Sequence, residues 1–109
     1  MNFNEYQELA KKTAAYPKIG ASYVYPTLGL VGEAGEVAEK VKKIFRDNDG
    51  VLDEAKKNDL QHELGDVLWY LSQIAVEMDL SLEDIAIANI EKLASRQQRE
   101  VIGGDGDNR

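Results

Sequence analysis

Two stretches of this chain are offset copies of one another. A shift of thirty positions lays Leu30, Glu33, Ala34, Gly35, Glu36, Val37, Val41 and Ile44 over Leu60, Glu63, Leu64, Gly65, Asp66, Val67, Leu71 and Ile74. In both copies apolar residues recur at steps of three and four, the spacing of one face of a helix. Both carry the kernel Glu-x-Gly-acid-Val. Each helix must bury its apolar arc, and the most economical cover for one is the other.

The rest of the chain fits the same architecture. Asn2 or Asn4 caps a helix expected to run to about Tyr16, with Phe3, Tyr6, Leu9, Ala10 and Thr13 along one side. Pro17 and Pro26 bracket a segment without helical periodicity, read as a loop. Asp47-Asn48-Asp49-Gly50 is a cluster of turn formers. Ser81, with Asp84 three residues on, starts a last helix over residues 82–97. No stretch alternates with period two for long enough to make a strand. The expectation is an all-α fold, a four-helix bundle with short connections. It forms one domain over residues 1–102, followed by a Gly- and Asp-rich tail, 103–109, expected to be disordered.

The offset copies place carboxylates in register. At about 100° per residue, with Leu30 and Leu60 as zero, Glu33 and Glu63 lie at roughly 300° and Glu36 and Asp66 at roughly 240°. If the apolar arcs pack together, these four carboxylates converge along one edge of the seam. Gly35 and Gly65 beside them leave space for a ligand. Glycine within a helix costs about 0.5–1 kcal/mol relative to alanine, so two at matching positions need a reason. Converging carboxylates repel one another unless a cation joins them. Mg²⁺ fits, because it takes oxygen ligands, keeps several waters and binds substrate phosphates. The competing reading is a solvated helix face. In a chain with 20 acidic residues of 109, acidic pairs at spacing three arise by chance, and Glu5/Glu8 and Glu36/Glu39 are such pairs. Matching faces and matching glycines are what favour a site.

At these residues the sequence resembles the MazG-like nucleotide pyrophosphohydrolases, the all-α NTP pyrophosphatase superfamily. That family's pattern is Glu-x-x-Glu followed at some distance by Glu-x-x-Asp. Here it reads Glu33-x-x-Glu36, a gap of 26 residues, then Glu63-x-x-Asp66. The flanking Leu30-Val31-Gly32 and Val67-Leu68-Trp69-Tyr70 are similar to the family as well, and the resemblance spans about residues 3–97. It implies Mg²⁺-dependent hydrolysis of a nucleoside triphosphate to the monophosphate and pyrophosphate, in nucleotide-pool housecleaning, with Mn²⁺ as a substitute metal. Glu33, Glu36, Glu63 and Asp66 then hold the metal and form the catalytic centre. Asn89, Lys92 and Arg96 match the residues of the last helix that reach the triphosphate. Tyr70, at roughly 280°, lies on the acidic edge within reach of phosphate or sugar, or is a rim aromatic. Glu39 is an outer participant at most, and the loop from Tyr16 to Tyr25 is a candidate for part of the base pocket. A phosphoribosyl-ATP pyrophosphatase or a dUTP-selective enzyme shares the acidic motifs, so the base stays open.

Composition removes other classes. A net charge of −7 offers no cation excess to displace counterions from a nucleic-acid backbone. With no cysteine there are no disulfides and no thiolate chemistry. No apolar run exceeds the five residues from Val67 to Leu71, and the first twenty residues lack an apolar signal segment, so a cytoplasmic protein with no membrane contact is expected. A di-iron bundle wants Glu-x-x-His on two helices, which only Asp59-x-x-His62 approximates. A non-catalytic helical interaction module is the alternative to an enzyme. The lysines near the end of the second helix, among them Lys40 and Lys43, read as surface charge complementing the helix dipole. Leu68, Trp69 and Val76 lie outside the seam arc on the third helix. A homodimer or homotetramer is therefore expected, with Trp69 at its interface unless the first helix covers that face.

Overall fold

The structure, a computed structural model, describes residues 1–99 together with 104, 106 and 107. It is all-α among these residues, with four helices: α1 (Phe3–Lys11), α2 (Val24–Asp47), α3 (Glu54–Glu77) and α4 (Leu82–Gln98). The expected tail and its boundary at residue 102 lie largely outside the described residues.

The α2–α3 hairpin is the base of the fold. Asp49 and Gly50 take positive φ angles of 54° and 74°, which turns the chain sharply after α2. The Asp53 side chain then accepts from the Lys56 N–H at 2.9 Å and starts α3 at Glu54. That is earlier than the apolar periodicity suggests, because Glu54–Asp59 is polar. The helices run antiparallel: near the turn Lys40 meets Glu63, and further away Gly29 lies under Tyr70. A Cβ on Gly29 would stand 2.3 Å from the Tyr70 ring, so this close approach requires glycine. Pro26 sits inside α2, not in a loop, because the first turn of a helix needs no partner for the missing N–H.

The N-terminal segment departs from the expected helix to Tyr16. Asn2 caps α1 by accepting from the Glu5 N–H at 2.8 Å, but the helix ends at Lys11. The chain then leaves helical geometry and places two side chains on α3. Thr13 Oγ1 accepts from Trp69 Nε1 at 2.8 Å, and the Tyr16 hydroxyl donates to Glu77 Oε1 at 2.6 Å. Pro17 disfavours helix at Tyr16 and fixes this exit. Trp69 is thus engaged within its own chain, edge-on to Tyr16 and Tyr70. These intrachain contacts come from the segment following α1, not from α1 itself.

Gln7 of α1 holds the start of α4. Its amide donates to the Leu80 carbonyl at 2.9 Å and accepts from the Leu82 N–H at 2.8 Å. Ser81 caps α4 through the Asp84 N–H, as the sequence indicates. The packing order is therefore α4 on α1, α1 on α3 and α3 on α2, and α4 makes no comparable contact with the hairpin. The fully buried apolar set is small: Ala10, Ile44, Ala75 and Leu82. Several seam positions stay open, with Leu64 56% exposed.

Gly29→Ala is expected to lower stability by about 1–3 kcal/mol, because steric overlap with Tyr70 outweighs the better helix propensity of alanine. Thermal unfolding measures this, and an unchanged or higher Tm would contradict the close packing at that point.

Candidate functional site

The antiparallel register brings together three of the four acids that the repeat places in register. One ligand atom each of Glu33, Glu63 and Asp66 lies within 4.8 Å of the others, joining one acid of α2 to two of α3. Glu33 and Glu63 are half-buried and Asp66 is exposed. Glu36 is exposed and stands outside this group of three, though near enough for its charge to act on Glu33. The Glu33 carboxyl is pushed above its usual range, first by burial and then by the charges of Asp66, Glu63 and Glu36. Both causes disfavour the ionised form, and a cation among the carboxylates reverses the second. An all-carboxylate donor set suits a hard divalent cation. Added Cβ atoms at Gly32, Gly35 and Gly65 would meet nothing within 4 Å, so the helix surface beside the acids is open.

An aromatic group closes one end of the seam. Tyr70 is half-buried over Gly29, and its hydroxyl pKa is raised by burial and by the nearby Tyr25, Glu33 and Asp66. Tyr16 stacks on Tyr25 with ring centroids 5.5 Å apart and meets Trp69 edge-on at 6.0 Å. The Tyr16–Tyr25 stack therefore lies beside Tyr70 and Trp69 at this end of the seam. Tyr6 of α1, not singled out by its sequence context, also stands near Asp66, whose charge adds to burial in raising the tyrosine pKa.

At the hairpin end the lysines differ from their sequence reading. Lys40 Nζ lies 3.4 Å from Glu63 Oε1 and so touches the cluster itself. Glu39 is held by Lys42 and Lys43 at 2.8 and 3.6 Å, which lowers its pKa and turns it away from an acidic role. His62 is exposed and Asp59 lies outside the group of three, so the di-iron pattern has no support here.

The α4 residues stand apart. Asn89 is exposed, and among the described residues no hydrogen bond or ion pair joins Asn89, Lys92 or Arg96 to the acidic cluster. Lys92 Nζ instead reaches Asp107 Oδ1 at 3.0 Å. Arg96 is buried and its Nη2 donates to the Asp107 carbonyl at 2.7 Å and to Oδ1 at 3.2 Å, leaving Nε without a partner among the described residues. These two cations hold the Asp107 carboxyl well below the usual carboxylate range. The α4 side chains bind a carboxylate, though not one of the cluster.

Comparison with known proteins agrees with this geometry. Residues 26–101 match the MazG nucleotide pyrophosphohydrolase domain, a span that holds all four acids of the two motifs. The Gene 37 protein of Mycobacterium phage L5 is 50% identical over 114 residues, covering 100% of both chains. No solved structure matches.

A divalent cation at one hundred times its Kd is expected to stabilise the fold by about 2.7 kcal/mol, raising Tm by about 10 °C or more. Asp66→Ala should remove that shift while leaving helix content by circular dichroism unchanged. A shift that persists in Asp66→Ala would move the cation away from the seam.

Proposed function

This chain belongs to the MazG nucleotide pyrophosphohydrolase family, and on that premise we propose that it hydrolyses a nucleoside triphosphate, ribo or deoxy, to the monophosphate and pyrophosphate with Mg²⁺. The observation that carries this reading is the set of three carboxylates within 4.8 Å on the α2–α3 seam. Glu33, Glu63 and Asp66 hold the cation. Bound there, Mg²⁺ neutralises the polyphosphate and lowers the pKa of water at the site. Glu36, exposed at the edge of the cluster, orients the attacking water and takes its proton on a carboxylate oxygen. Water adds to phosphorus, the bridging P–O bond breaks, and pyrophosphate leaves. The aromatic end of the seam, with Tyr70 and the Tyr16–Tyr25 stack, receives the nucleoside. Such an enzyme serves nucleotide-pool housecleaning.

A homo-oligomer is part of the same proposal. A compact protein of 12.1 kDa exposes about 6,000 Å², whereas this chain exposes 7765 Å². The excess is on the order of 1,700 Å², about twice what each partner contributes to an interface of standard size. Its radius of gyration of 16.8 Å also exceeds the roughly 13 Å of a compact domain of this length. Open apolar side chains occur on the seam helices, such as Leu64 and Leu71, and on α4, such as Ile90 and Leu93. Association through these faces brings Asn89, Lys92 and Arg96 of a neighbouring copy to the triphosphate.

A screen of common ribo- and deoxynucleoside triphosphates with Mg²⁺, assayed for pyrophosphate, tests the activity. At least one substrate should yield pyrophosphate, and Glu63→Ala should lose turnover by a factor of a hundred or more. Absence of pyrophosphate from every substrate, or full turnover in Glu63→Ala, would overturn the reading. Sedimentation at micromolar concentration should give at least a dimer. A 12.1 kDa species would refute the assembly.

A further inference from the structure

The α2–α3 seam has a direction. Its open end carries aromatic rings, its middle the carboxylates, and its hairpin end lysines. From the hairpin outward α3 presents Lys56, Asp59, Glu63, Asp66 and Tyr70. The antiparallel α2 presents Lys43, Lys40, Glu36, Glu33 and Gly29 alongside. A cleft of about 500 Å³ runs along the hairpin end, and Glu36 and Glu63 are part of its wall together with Lys40, Lys43 and Lys56, with Glu39, Asp47 and Asp59 further along it. The cleft therefore opens directly on the acidic cluster.

Lys40 occupies the critical place. Counted from Leu30 it lies at roughly 280°, between Glu33 and Glu36 and one turn beyond the latter. In the thirty-residue repeat it is the counterpart of Tyr70, so the two copies present an aromatic ring at one end and an ammonium at the other. Its Nζ is 3.4 Å from Glu63 Oε1 with the side chain about one-third exposed. A cation taking Glu63 competes with this ion pair, which frees the ammonium beside the cation. A lysine is a point charge suited to phosphate oxygens.

We propose that Lys40, with Lys43 and Lys56 further along the cleft, binds the distal phosphates of the substrate and the pyrophosphate released from it. This rests on the pyrophosphohydrolase reading and deepens it. The triphosphate lies along the seam with its nucleoside at Tyr70 and Tyr25 and its leaving group toward the hairpin turn. The α4 cations then act from another side of the substrate.

Calorimetric binding of Mg²⁺–pyrophosphate, of a nucleoside monophosphate, and of Mn²⁺ alone to wild type, Lys40→Ala and Lys40→Arg tests this. Lys40→Ala should weaken Mg²⁺–pyrophosphate binding at least tenfold and leave the monophosphate within twofold. Lys40→Arg should stay within about threefold of wild type. Mn²⁺ alone should bind Lys40→Ala as tightly as wild type or more tightly, because a competitor for Glu63 is gone. Pyrophosphate binding within twofold of wild type in Lys40→Ala overturns the proposal. So does a parallel loss of Mn²⁺ and pyrophosphate, which would make Lys40 a support for Glu63. A wild type that hydrolyses triphosphates while Lys40→Ala binds pyrophosphate normally removes this inference alone. A wild type that hydrolyses none removes the function, yet a Lys40-dependent pyrophosphate site still stands on the binding data.

Discussion

Everything at the seam depends on holding like charges together. Glu33, Glu63 and Asp66 come from two helices and meet within 4.8 Å. The Glu33 carboxyl is shifted upward by burial and then by the charges of its neighbours. The hairpin imposes the arrangement through its register. The Asp49–Gly50 turn fixes the offset of the hairpin's two helices, and Gly29 beneath Tyr70 holds them close at the far end. Stability is thus spent on a constellation that folding alone disfavours. A divalent cation bound there would recover it, as the proposed function requires.

The surroundings divide the labour. The aromatic end is built by a detour: the chain leaves α1 early so that Thr13 and Tyr16 can reach Trp69 and Glu77. That detour both covers the outer face of α3 and sets Tyr16 against Tyr25 beside the cluster. The hairpin end remains polar and open, a cleft where Lys40, Lys43 and Lys56 stand among a larger number of acids. Meanwhile α4 is tethered to α1 by Gln7 and leaves the hairpin's apolar surface uncovered. The second copy proposed above would cover such a surface.

What was legible in the sequence followed from local or periodic rules. The thirty-residue repeat set the register that joins Glu33 to Glu63 and Asp66, and Ser81 marked the start of α4 through its own side chain. The misses have partly tertiary causes. Tyr16 is kept out of helix by the following Pro17 and held by Glu77, a partner 61 residues away. Pro26 resembles a loop residue until its place in the first turn of α2 is known. Lys40 resembles dipole-complementing charge because its partner Glu63 lies on another helix. Asn89, Lys92 and Arg96 are expected at the triphosphate, whereas in the structure Lys92 and Arg96 meet the carboxylate of Asp107. Helical spacing carries no information on which acid they meet.

The central claim is that acids from α2 and α3 act as one cation site. A double-mutant cycle on Mn²⁺ affinity, read by electron paramagnetic resonance with Glu33→Gln, Asp66→Asn and the double variant, tests it most directly. Ligands of one ion couple, so the double variant should lose far less affinity than the product of the two single losses. Independent, multiplicative losses, or Mn²⁺ binding untouched by either substitution, would contradict the account.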